Sequence, residues 1–347
     1  MVDSPPGSGP FLAACRAEPH DHTPVWFMRQ AGRSLPEYRA IRGSGSILDA
    51  ITDPELSAKI TLQPVRRYGV DAAILYSDIV VPAYAVGFGV DVKPGLGPVV
   101  ERPFGRTADL QRLRPLEPEI DTPYVLETVS QVVAEAGVPL IGFAGAPFTV
   151  ASYLIEGAPS RTYSRTKALM LGDPALWNDL MERLVDMAIT SLRSQIAAGA
   201  SAIQLFDSWA GALSPPVYER CVLPHSRRVF EGVADTGVPR IHFGVGTGEI
   251  LPLMAEAGAD VVGVDWRVPL DEVRRRLGPD AILQGNLDPA VCLGPPEVVE
   301  AEVADVLSRN GGHPGYVFNL GHGVLPEIDP AVLERVVAQV HAYPIGS

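Results

Sequence analysis

Short apolar runs recur along the chain and alternate with longer stretches in which apolar residues follow a helical period. The runs are bounded by glycine, proline or aspartate, which is typical of buried strands. Eight strands are predicted, at Val25–Met28, Ala72–Tyr76, Leu140–Phe143, Ala202–Phe206, Arg240–Phe243, Val261–Asp265, Ala281–Gln284 and Tyr316–Leu320. Helices are predicted at Pro54–Tyr68, Pro123–Ala136, Pro174–Ala198, Pro215–Asp235, Glu249–Ala257, Leu270–Leu277, Pro295–Ser308 and Pro330–Ala342. Strict alternation of strand and helix predicts a parallel sheet.

Several predicted helices end in a glycine directly before the next strand, as in EAGVPLIGF and DTGVPRIHF. A left-handed glycine at this position turns the chain back toward the sheet. No linker divides the chain, so residues 11–347 are expected to form one α/β domain, a (β/α)8 TIM-type barrel, after a disordered tail at residues 1–10. The Pro/Gly-rich stretch 87–122 is interpreted as an insertion after the second strand. A doubly wound open sheet is the structural alternative.

Charge and composition narrow the class of protein. The net charge of −13 argues against a nucleic-acid surface and against binding to an anionic membrane. Residues 1–70 nevertheless carry +1, so a basic site is expected to be local and partly N-terminal. Arginine outnumbers lysine 25 to 3, which suits bidentate carboxylate binding, although a codon bias across the genome also explains the ratio. No apolar run is long enough to span a bilayer.

Cysteine usage and the first residues indicate a cytoplasmic protein. The three cysteines are far apart and form no metal-ligand spacing, so free thiols in a reducing compartment are expected. The segment MVDSPPGSGP has no features of a secretory signal. His20 and His22 stand in the polar flank EPHDH and are expected to be solvated.

Polar residues follow the predicted strands, where a barrel enzyme assembles its active site. Arg29 and Arg33 are four residues apart, with Gly32 between them, and this spacing suits a clamp for more than one carboxylate. The alternative is that both arginines pair with Glu37 or Asp49 on the surface.

Asp78 follows the apolar run AAILYS and precedes IVVPAYAV, so its carboxylate is expected to be poorly solvated and to need a cationic or N–H partner. An N-cap role for the following helix stays open beside a functional one. The sequence holds no HExxH, P-loop, G-x-S-x-G or Cys/His cluster, so zinc hydrolysis, nucleotide use and serine hydrolysis lack support.

Seven motifs carry a resemblance that covers the chain from about residue 24 to its end. They are PVWFMRQAGRSLPEYR, ILYSDIVVP, GFAGAPFTVASYLIEG, QLFDSWAG, HFGVGTGEIL, LQGNLDP and FNLGHGVLPEIDP. In this order they resemble the uroporphyrinogen decarboxylase family. The resemblance implies a homodimeric barrel that removes the four acetate carboxyls of uroporphyrinogen III to give coproporphyrinogen III in heme biosynthesis, with no cofactor and no metal.

The same resemblance assigns the site. It implies that Arg29, Gln30, Ala31, Gly32 and Arg33 bind substrate carboxylates and that Asp78 meets the pyrrole N–H groups. It also implies that Tyr153, Ser208 and His322 contact the substrate, with Asp78, Arg29 and Arg33 as the catalytic set.

The chemistry agrees with this assignment, because a protonated pyrrole accepts the electron pair that loss of CO2 leaves behind, so no added cofactor is needed. A buried Asp78 would stabilise the cationic intermediate. The general acid is hypothesised to be an arginine-assisted or solvent-derived proton. An octa-anionic substrate also requires a local positive field at the mouth of the site.

Two rival functions remain at this point. A corrinoid-type methyltransferase shares the fold but needs a zinc site with histidine and cysteine close together, and no cysteine stands near His242. A non-catalytic tetrapyrrole carrier would keep the barrel without the chemistry, and measured turnover separates it from the enzyme.

Overall fold

Seven parallel strands form the main sheet of this α/β protein. The structure is a computed structural model that describes residues 9–43, 45–93 and 96–345. Two further strands, β2 and β3, form a separate small sheet. The described strands are β1 (Ala73–Ile74), β2 (Val90–Lys93), β3 (Gly97–Val100), β4 (Leu140–Gly145), β5 (Ala202–Phe206), β6 (Arg240–Phe243), β7 (Val261–Gly263), β8 (Ile282–Leu287) and β9 (Tyr316–Leu320). The main sheet has the order β1-β4-β5-β6-β7-β8-β9, so neighbours in the sheet are also successive strands of this sheet along the chain. The predicted parallel sheet is confirmed.

Helices connect the strands and cover the sheet. They are α1 (Pro10–Ala14), α2 (Pro36–Arg42), α3 (Ile47–Ile51), α4 (Pro54–Tyr68), α5 (Val81–Ala85), α6 (Pro118–Asp121), α7 (Pro123–Glu135), α8 (Pro147–Glu156), α9 (Ser164–Gly172), α10 (Pro174–Ala197), α11 (Pro215–Cys221), α12 (Leu223–Glu231), α13 (Leu251–Glu256), α14 (Leu270–Leu277), α15 (Pro296–Asn310) and α16 (Pro330–Ala342). Short 3-10 helices lie at Thr107–Arg112, Ala210–Ala212, Ala234–Thr236, Gly248–Ile250 and Pro289–Leu293. Among the described residues, no helix combines the length and apolarity that crossing a bilayer requires.

Local chemistry explains where the helices begin and break. The Asp53 carboxylate accepts the Leu56 N–H at 3.1 Å at the start of α4, and proline occupies the first position, where its missing N–H costs nothing. The prediction of one helix over Pro215–Asp235 is wrong. Pro224 lacks the N–H that would continue α11, and the chain restarts as α12 instead. Gly237 has the predicted left-handed φ of 72° before β6.

The first predicted strand differs from the others. Residues 25–28 form no strand, and Val25 makes one isolated parallel bridge to Phe318 of β9. Phe318 N–H donates to the Pro24 carbonyl at 2.8 Å, and Asp71 N–H donates to the Val25 carbonyl at 2.9 Å. This extended segment therefore lies between the two edge strands of the sheet, β9 and β1.

Buried polar side chains cross the space that the curled sheet encloses. The Trp26 indole N–H donates to Gln284 Oε1 at 3.0 Å, and Gln284 Nε2 donates to Gln204 Oε1 at 2.9 Å. Gln204 lies on β5 and Gln284 on β8, and β6 and β7 separate these two strands in the sheet. The bonds join non-neighbouring strands, so they run through the interior, where all three side chains are buried.

Two further predictions fall on the segments outside the main sheet. Strands β2 and β3 form an antiparallel hairpin between β1 and β4, within the stretch interpreted as an insertion. Of the tail predicted to be disordered, residues 1–8 lie outside the described residues, and Pro10 begins α1.

Candidate active site

The carboxyl ends of the strands bring four of the predicted residues into one site. Arg29 follows the extended segment, Asp78 follows β1, Tyr153 lies in α8 after β4, and His322 follows β9. Burial is the largest influence on the pKa of Asp78, Tyr153 and His322, but the Arg29 charge also acts on each of them, in the lowering direction, and the Asp78 charge acts on Tyr153 in the raising direction. Because such effects fall off steeply with distance, the four groups form one electrostatic unit.

The loop RQAGR is held in place by its central glutamine. Gln30 is fully buried, its Oε1 accepts the Phe27 N–H at 3.0 Å, and its Nε2 donates to the Ala72 carbonyl at 3.1 Å. Gln30 thus fixes the loop to the start of β1, and its side chain faces the interior rather than the site. Gly32 is required for close packing, since a Cβ there would lie 2.9 Å from the Arg29 carbonyl oxygen. Ala31 beside it is partly exposed.

Arg29 has an unusual backbone for a non-glycine residue. Its φ of 59° lies in the left-handed region, which L side chains seldom adopt without surrounding restraint. The anchored Gln30 supplies restraint on one side, and the backbone of Gly323 packs against the Arg29 side chain on the other. The loop therefore directs the guanidinium toward Asp78 and His322.

The surface pairing considered for the two arginines does not occur. Glu37 pairs with Arg67 at 3.2 Å, and the Asp49 carboxylate accepts the Ser46 N–H at 3.0 Å. Across residues 9–43, 45–93 and 96–345, neither Arg29 nor Arg33 forms an ion pair with a carboxylate of the protein. Both arginines are exposed, and the Arg33 carbonyl accepts a bond from Arg39. Two cationic groups therefore remain available to an anionic ligand.

Asp78 combines the two roles that its position suggested. Its Oδ1 accepts the Val80 N–H at 3.0 Å, and its carbonyl accepts the Val81 N–H at 3.1 Å, so it shapes the turn that opens α5. Burial raises the pKa of the Asp78 carboxyl above its ordinary value, although the Val80 N–H and the Arg29 charge act in the opposite direction. The site thus holds a partly buried carboxylate that senses the charge of a guanidinium.

Aromatic side chains form the wall next to Asp78. Tyr153 packs edge-on against Trp209 with ring centroids 5.7 Å apart, and Tyr163 lies on Trp209 at 5.5 Å. Burial and the Asp78 charge raise the pKa of the Tyr153 hydroxyl to about 12, so it stays protonated at neutral pH. Ser208 precedes Trp209 and is partly exposed.

A buried carboxylate supports this wall from behind. Asp207 Oδ1 accepts the Thr149 hydroxyl proton at 2.8 Å, and Thr149 Oγ1 in turn accepts the Trp209 N–H at 3.2 Å. These two successive hydrogen bonds, from Trp209 to Thr149 and from Thr149 to Asp207, fix the loop that carries Ser208 and Trp209.

His322 is held as a neutral ring. Its Nδ1 accepts the Gly323 N–H at 2.6 Å, so a neutral imidazole carries its proton on Nε2. Burial lowers the pKa of His322 to about 4, with Arg29 and Arg267 acting in the same direction and Asp265 opposing them. At neutral pH the ring is therefore a hydrogen-bond donor through Nε2–H.

The site extends beyond the residues that the resemblance assigned. Trp266 stacks on His322 at 6.5 Å and 25°, and the Arg267 guanidinium lies 4.0 Å above the Trp266 ring. The buried Asp265 carboxylate pairs with Arg267 and leaves that side chain about half exposed. Trp266 and Arg267 directly follow the predicted strand Val261–Asp265, but the sequence carries no signal for the stack, because Trp266 and His322 are 56 positions apart.

His242 and the cysteines do not form the zinc site that a corrinoid-type methyltransferase needs. His242 is fully buried, and its Nδ1 lies 3.2 Å from the Met254 carbonyl. All three cysteines are buried and free. Within the described part of the chain, the one group of side chains with metal-ligand geometry contains none of these residues.

The fold and this site define a class: an α/β enzyme with exposed arginines and ionisable side chains gathered at the carboxyl ends of a parallel sheet. Residues 8–343 match the family model described as uroporphyrinogen decarboxylase (URO-D). The chain belongs to the uroporphyrinogen decarboxylase family, and its class of reaction is that of a carboxy-lyase.

Curated relatives and a solved structure agree with this placement. The chain is 62% identical over 337 residues to uroporphyrinogen decarboxylase from Salinispora tropica, covering 97% of this chain and 91% of the relative. It is 62% identical over 332 residues to the enzyme from Streptomyces coelicolor, covering 95% and 93%. A methyltransferase from Methanosarcina mazei has a TM-score of 0.78 at 23% identity, covering 95% of this chain and 97% of that one, and shows the fold alone.

Proposed function

We propose that this protein removes CO2 from the four acetate side chains of uroporphyrinogen III and yields coproporphyrinogen III. One observation carries the proposal beyond family membership. Asp78 is close enough to Arg29 for the guanidinium charge to act on the pKa of the Asp78 carboxyl, yet Arg29 forms no ion pair with a carboxylate among the described residues. A cation for carboxylates and an anion for pyrrole nitrogens are the two functions that this substrate requires.

The proposed chemistry uses the substrate as its own electron acceptor. Protonation of a pyrrole carbon gives a cationic ring, and breaking the bond to the acetate carboxylate releases CO2 while its electron pair neutralises the ring. A second proton then adds to the methylene carbon, and the ring proton leaves, so that a methyl group replaces the acetate. No external electron acceptor enters this sequence.

Asp78 is proposed to accept hydrogen bonds from the pyrrole N–H groups and to stabilise the cationic ring. Its burial supports this role, because a carboxylate in a poorly solvated site interacts more strongly with a nearby cation than it would in water. The energy of desolvating the carboxylate is offset when the charge of the intermediate develops.

Arg29, Arg33 and backbone groups of Gln30, Ala31 and Gly32 are proposed to bind the propionates and the acetates that are not reacting. Arg267 joins this set as a rim residue, because it is half exposed and stacked on Trp266. Tyr153, Ser208 and the Nε2–H of His322 are proposed to donate to the remaining carboxylate oxygens. Fixing several carboxylates at once orients the reacting acetate.

The proton is proposed to come from solvent with the help of an arginine. His322 is a poor acid source near neutral pH because its pKa is about 4, and Tyr153 holds its proton too tightly with a pKa of about 12. An Asp78→Asn variant tests the alternative acid. If its pH–rate profile keeps both limbs at lower amplitude, solvent supplies the proton, whereas loss of a limb assigns the acid role to Asp78.

We propose that the extended segment at residues 24–28 completes an eight-stranded (β/α)8 barrel. Two contacts support this proposal: the segment hydrogen-bonds to Phe318 of β9 on one side and to Asp71, two residues before β1, on the other. In this arrangement the extended segment is the first strand of the barrel and β1 is the second. The β2–β3 hairpin then belongs to an insertion after that second strand, and residues 11–347 form one domain. We further propose a homodimer, as the family resemblance implies, and a location in the cytoplasm, since three free cysteines suit a reducing compartment. Size-exclusion chromatography with light scattering tests the dimer.

The deciding experiment is anaerobic incubation of metal-stripped protein with uroporphyrinogen III, with products resolved by carboxyl number. We expect conversion through seven-, six- and five-carboxyl species to four, and loss of conversion in Asp78→Gly. Asp305→Asn, which changes a carboxylate on the surface of α15, is the matched control and should convert normally. Binding without conversion by the wild type would leave a carrier and overturn the proposal.

A further inference from the structure

Three side chains from distant parts of the sequence meet at the end of the sheet opposite to Asp78. His22 precedes the extended segment, Asp71 precedes β1, and His341 lies in the last turn of α16. Asp71 marks the amino end of β1 and Asp78 its carboxyl end, so this cluster is separate from the candidate active site. The expectation that His22 is solvated is wrong, because it is half-buried against Asp71.

The geometry of the cluster is convergent. His22 Nε2 lies 2.8 Å from Asp71 Oδ1, and His341 Nε2 lies 2.8 Å from Asp71 Oδ2. The two imidazole centroids are 4.3 Å apart, and one ligand atom from each of the three side chains lies within 4.8 Å of the others. Two imidazole nitrogens thus lie against the two oxygens of one carboxylate, and the three ligand atoms are close enough together to bind one ion.

We propose that His22, Asp71 and His341 form a binding site for a divalent transition-metal ion, with Zn²⁺ as the fitting species. Imidazole and carboxylate suit zinc, and three protein ligands leave the fourth tetrahedral position to water. Side-chain exposures of 28% for His22 and 29% for His341 leave a path for the ion and that water, while Asp71 is 9% exposed.

The carboxylate is oriented as a metal ligand needs. The Val25 N–H donates to Asp71 Oδ2 at 2.7 Å and so fixes the carboxylate, while Oδ1, which now contacts His22, would bind the metal in place of that contact. Within residues 9–43, 45–93 and 96–345, neither histidine has a partner at Nδ1. Each ring can therefore move its proton to Nδ1 facing water, so that Nε2 presents its lone pair without an unsatisfied group.

The ion would join the two ends of the described chain to the sheet. His22 lies 49 positions from Asp71, and Asp71 lies 270 positions from His341. Because the unfolded chain does not hold these groups together, binding adds stability to the folded state alone. The site lies away from the reaction and is independent of the proposed function.

The test uses untagged, full-length protein treated with chelator and then dialysed. Isothermal titration with Zn²⁺ should give one equivalent with micromolar affinity, and saturating Zn²⁺ should raise the Tm by about 3 °C or more. Mg²⁺, which prefers six oxygen ligands, should give neither effect. Co²⁺ should bind with the visible absorption of a four-coordinate ion.

The variants His22→Gln and His341→Gln separate ligation from hydrogen bonding, because the Gln amide still donates to Asp71 but replaces an imidazole ligand. Each should weaken Zn²⁺ affinity at least tenfold and remove the Tm shift, while circular dichroism shows a folded protein. His20→Gln, two residues from His22, is the matched control and should bind as the wild type does. Absence of Zn²⁺ binding by the wild type, or equal binding by all three variants, would overturn the proposal.

Discussion

Gly323 supports the Arg29 side chain so closely that a Cβ at position 323 would lie 2.5 Å from Arg29 Cδ and 2.8 Å from Cγ. We therefore predict that Gly323→Ala displaces the Arg29 guanidinium and lowers kcat/KM for uroporphyrinogen about 100-fold, the order expected for an ångström of misplacement. Steady-state kinetics of the anaerobic reaction measure this. Gly105→Ala is the control, since a Cβ there meets no atom within 4 Å, and an equal loss in both variants would refute the explanation.

Gln30 should matter for stability as well as for the site. Gln30→Met leaves the buried Phe27 N–H and Ala72 carbonyl without their side-chain partner, and we expect the free energy of unfolding to fall by about 2–4 kcal/mol. Urea denaturation followed by circular dichroism measures the change. Gln111→Met, at an exposed position of a 3-10 helix, should cost less than about 0.5 kcal/mol. Similar values for the two variants would contradict the anchoring role.

His322 should stay neutral throughout the neutral range. Its pKa is about 4 in the folded protein against 6.5 for an ordinary histidine, so the unfolded chain takes up the proton first as the pH falls. His322 therefore lowers the stability of the folded state as the pH drops from 6.5 toward 4, and has no such effect above that window. Nitrogen NMR of the labelled imidazole should show a midpoint near 4, and a midpoint above 6 would rule this environment out.

Arg267 contributes to that low pKa through its charge, so removing the charge should raise the pKa of His322. We predict this upward movement in Arg267→Gln, measured by the same NMR titration. Arg309→Gln removes a surface guanidinium of α15 that pairs with Asp305, and should leave the His322 midpoint unchanged. A wild-type midpoint in Arg267→Gln would mean that the two groups are not coupled.

The same substitution should also weaken substrate binding. If Arg267 holds a carboxylate at the rim in both the bound substrate and the transition state, Arg267→Gln raises KM about tenfold and changes kcat little, a loss of about 1.4 kcal/mol in binding. Initial rates at several substrate concentrations measure both constants. A fall in kcat at constant KM would show that Arg267 acts in the chemical step instead.

Local patterns predicted the framework of this protein well. The strands β5, β6 and β9 and the helices α4, α14 and α16 begin and end where the apolar runs and their flanking Gly, Pro and Asp residues place them. The loop RQAGR and Asp78 also lie where the sequence placed them, after the segment 25–28 and after β1.

Contacts between residues far apart in the sequence could not be predicted from local patterns. Nothing near His22 indicates that Asp71 and His341 will lie against it, and nothing in the run around residue 266 indicates a stack on His322. The apolar run at residues 25–28 predicts a strand, yet the segment makes only one β-bridge. Its few backbone hydrogen bonds to β9 and to Asp71 do not form the regular ladder that defines a strand. The sequence also does not reveal that the Gln30 side chain faces inward, where it bonds to Phe27 and Ala72.

The hydrogen bonds from Trp26 to Gln284 and from Gln284 to Gln204 affect how a ligand can enter and leave the protein. They occupy the interior between the strands, so this route from the carboxyl ends of the strands to the opposite end of the sheet is filled by side chains. In the proposed reaction, uroporphyrinogen and the partly decarboxylated tetrapyrroles would therefore enter and leave at the carboxyl ends of the strands. A seven-carboxyl intermediate that dissociates would then compete with fresh substrate for the same site before it reacts again.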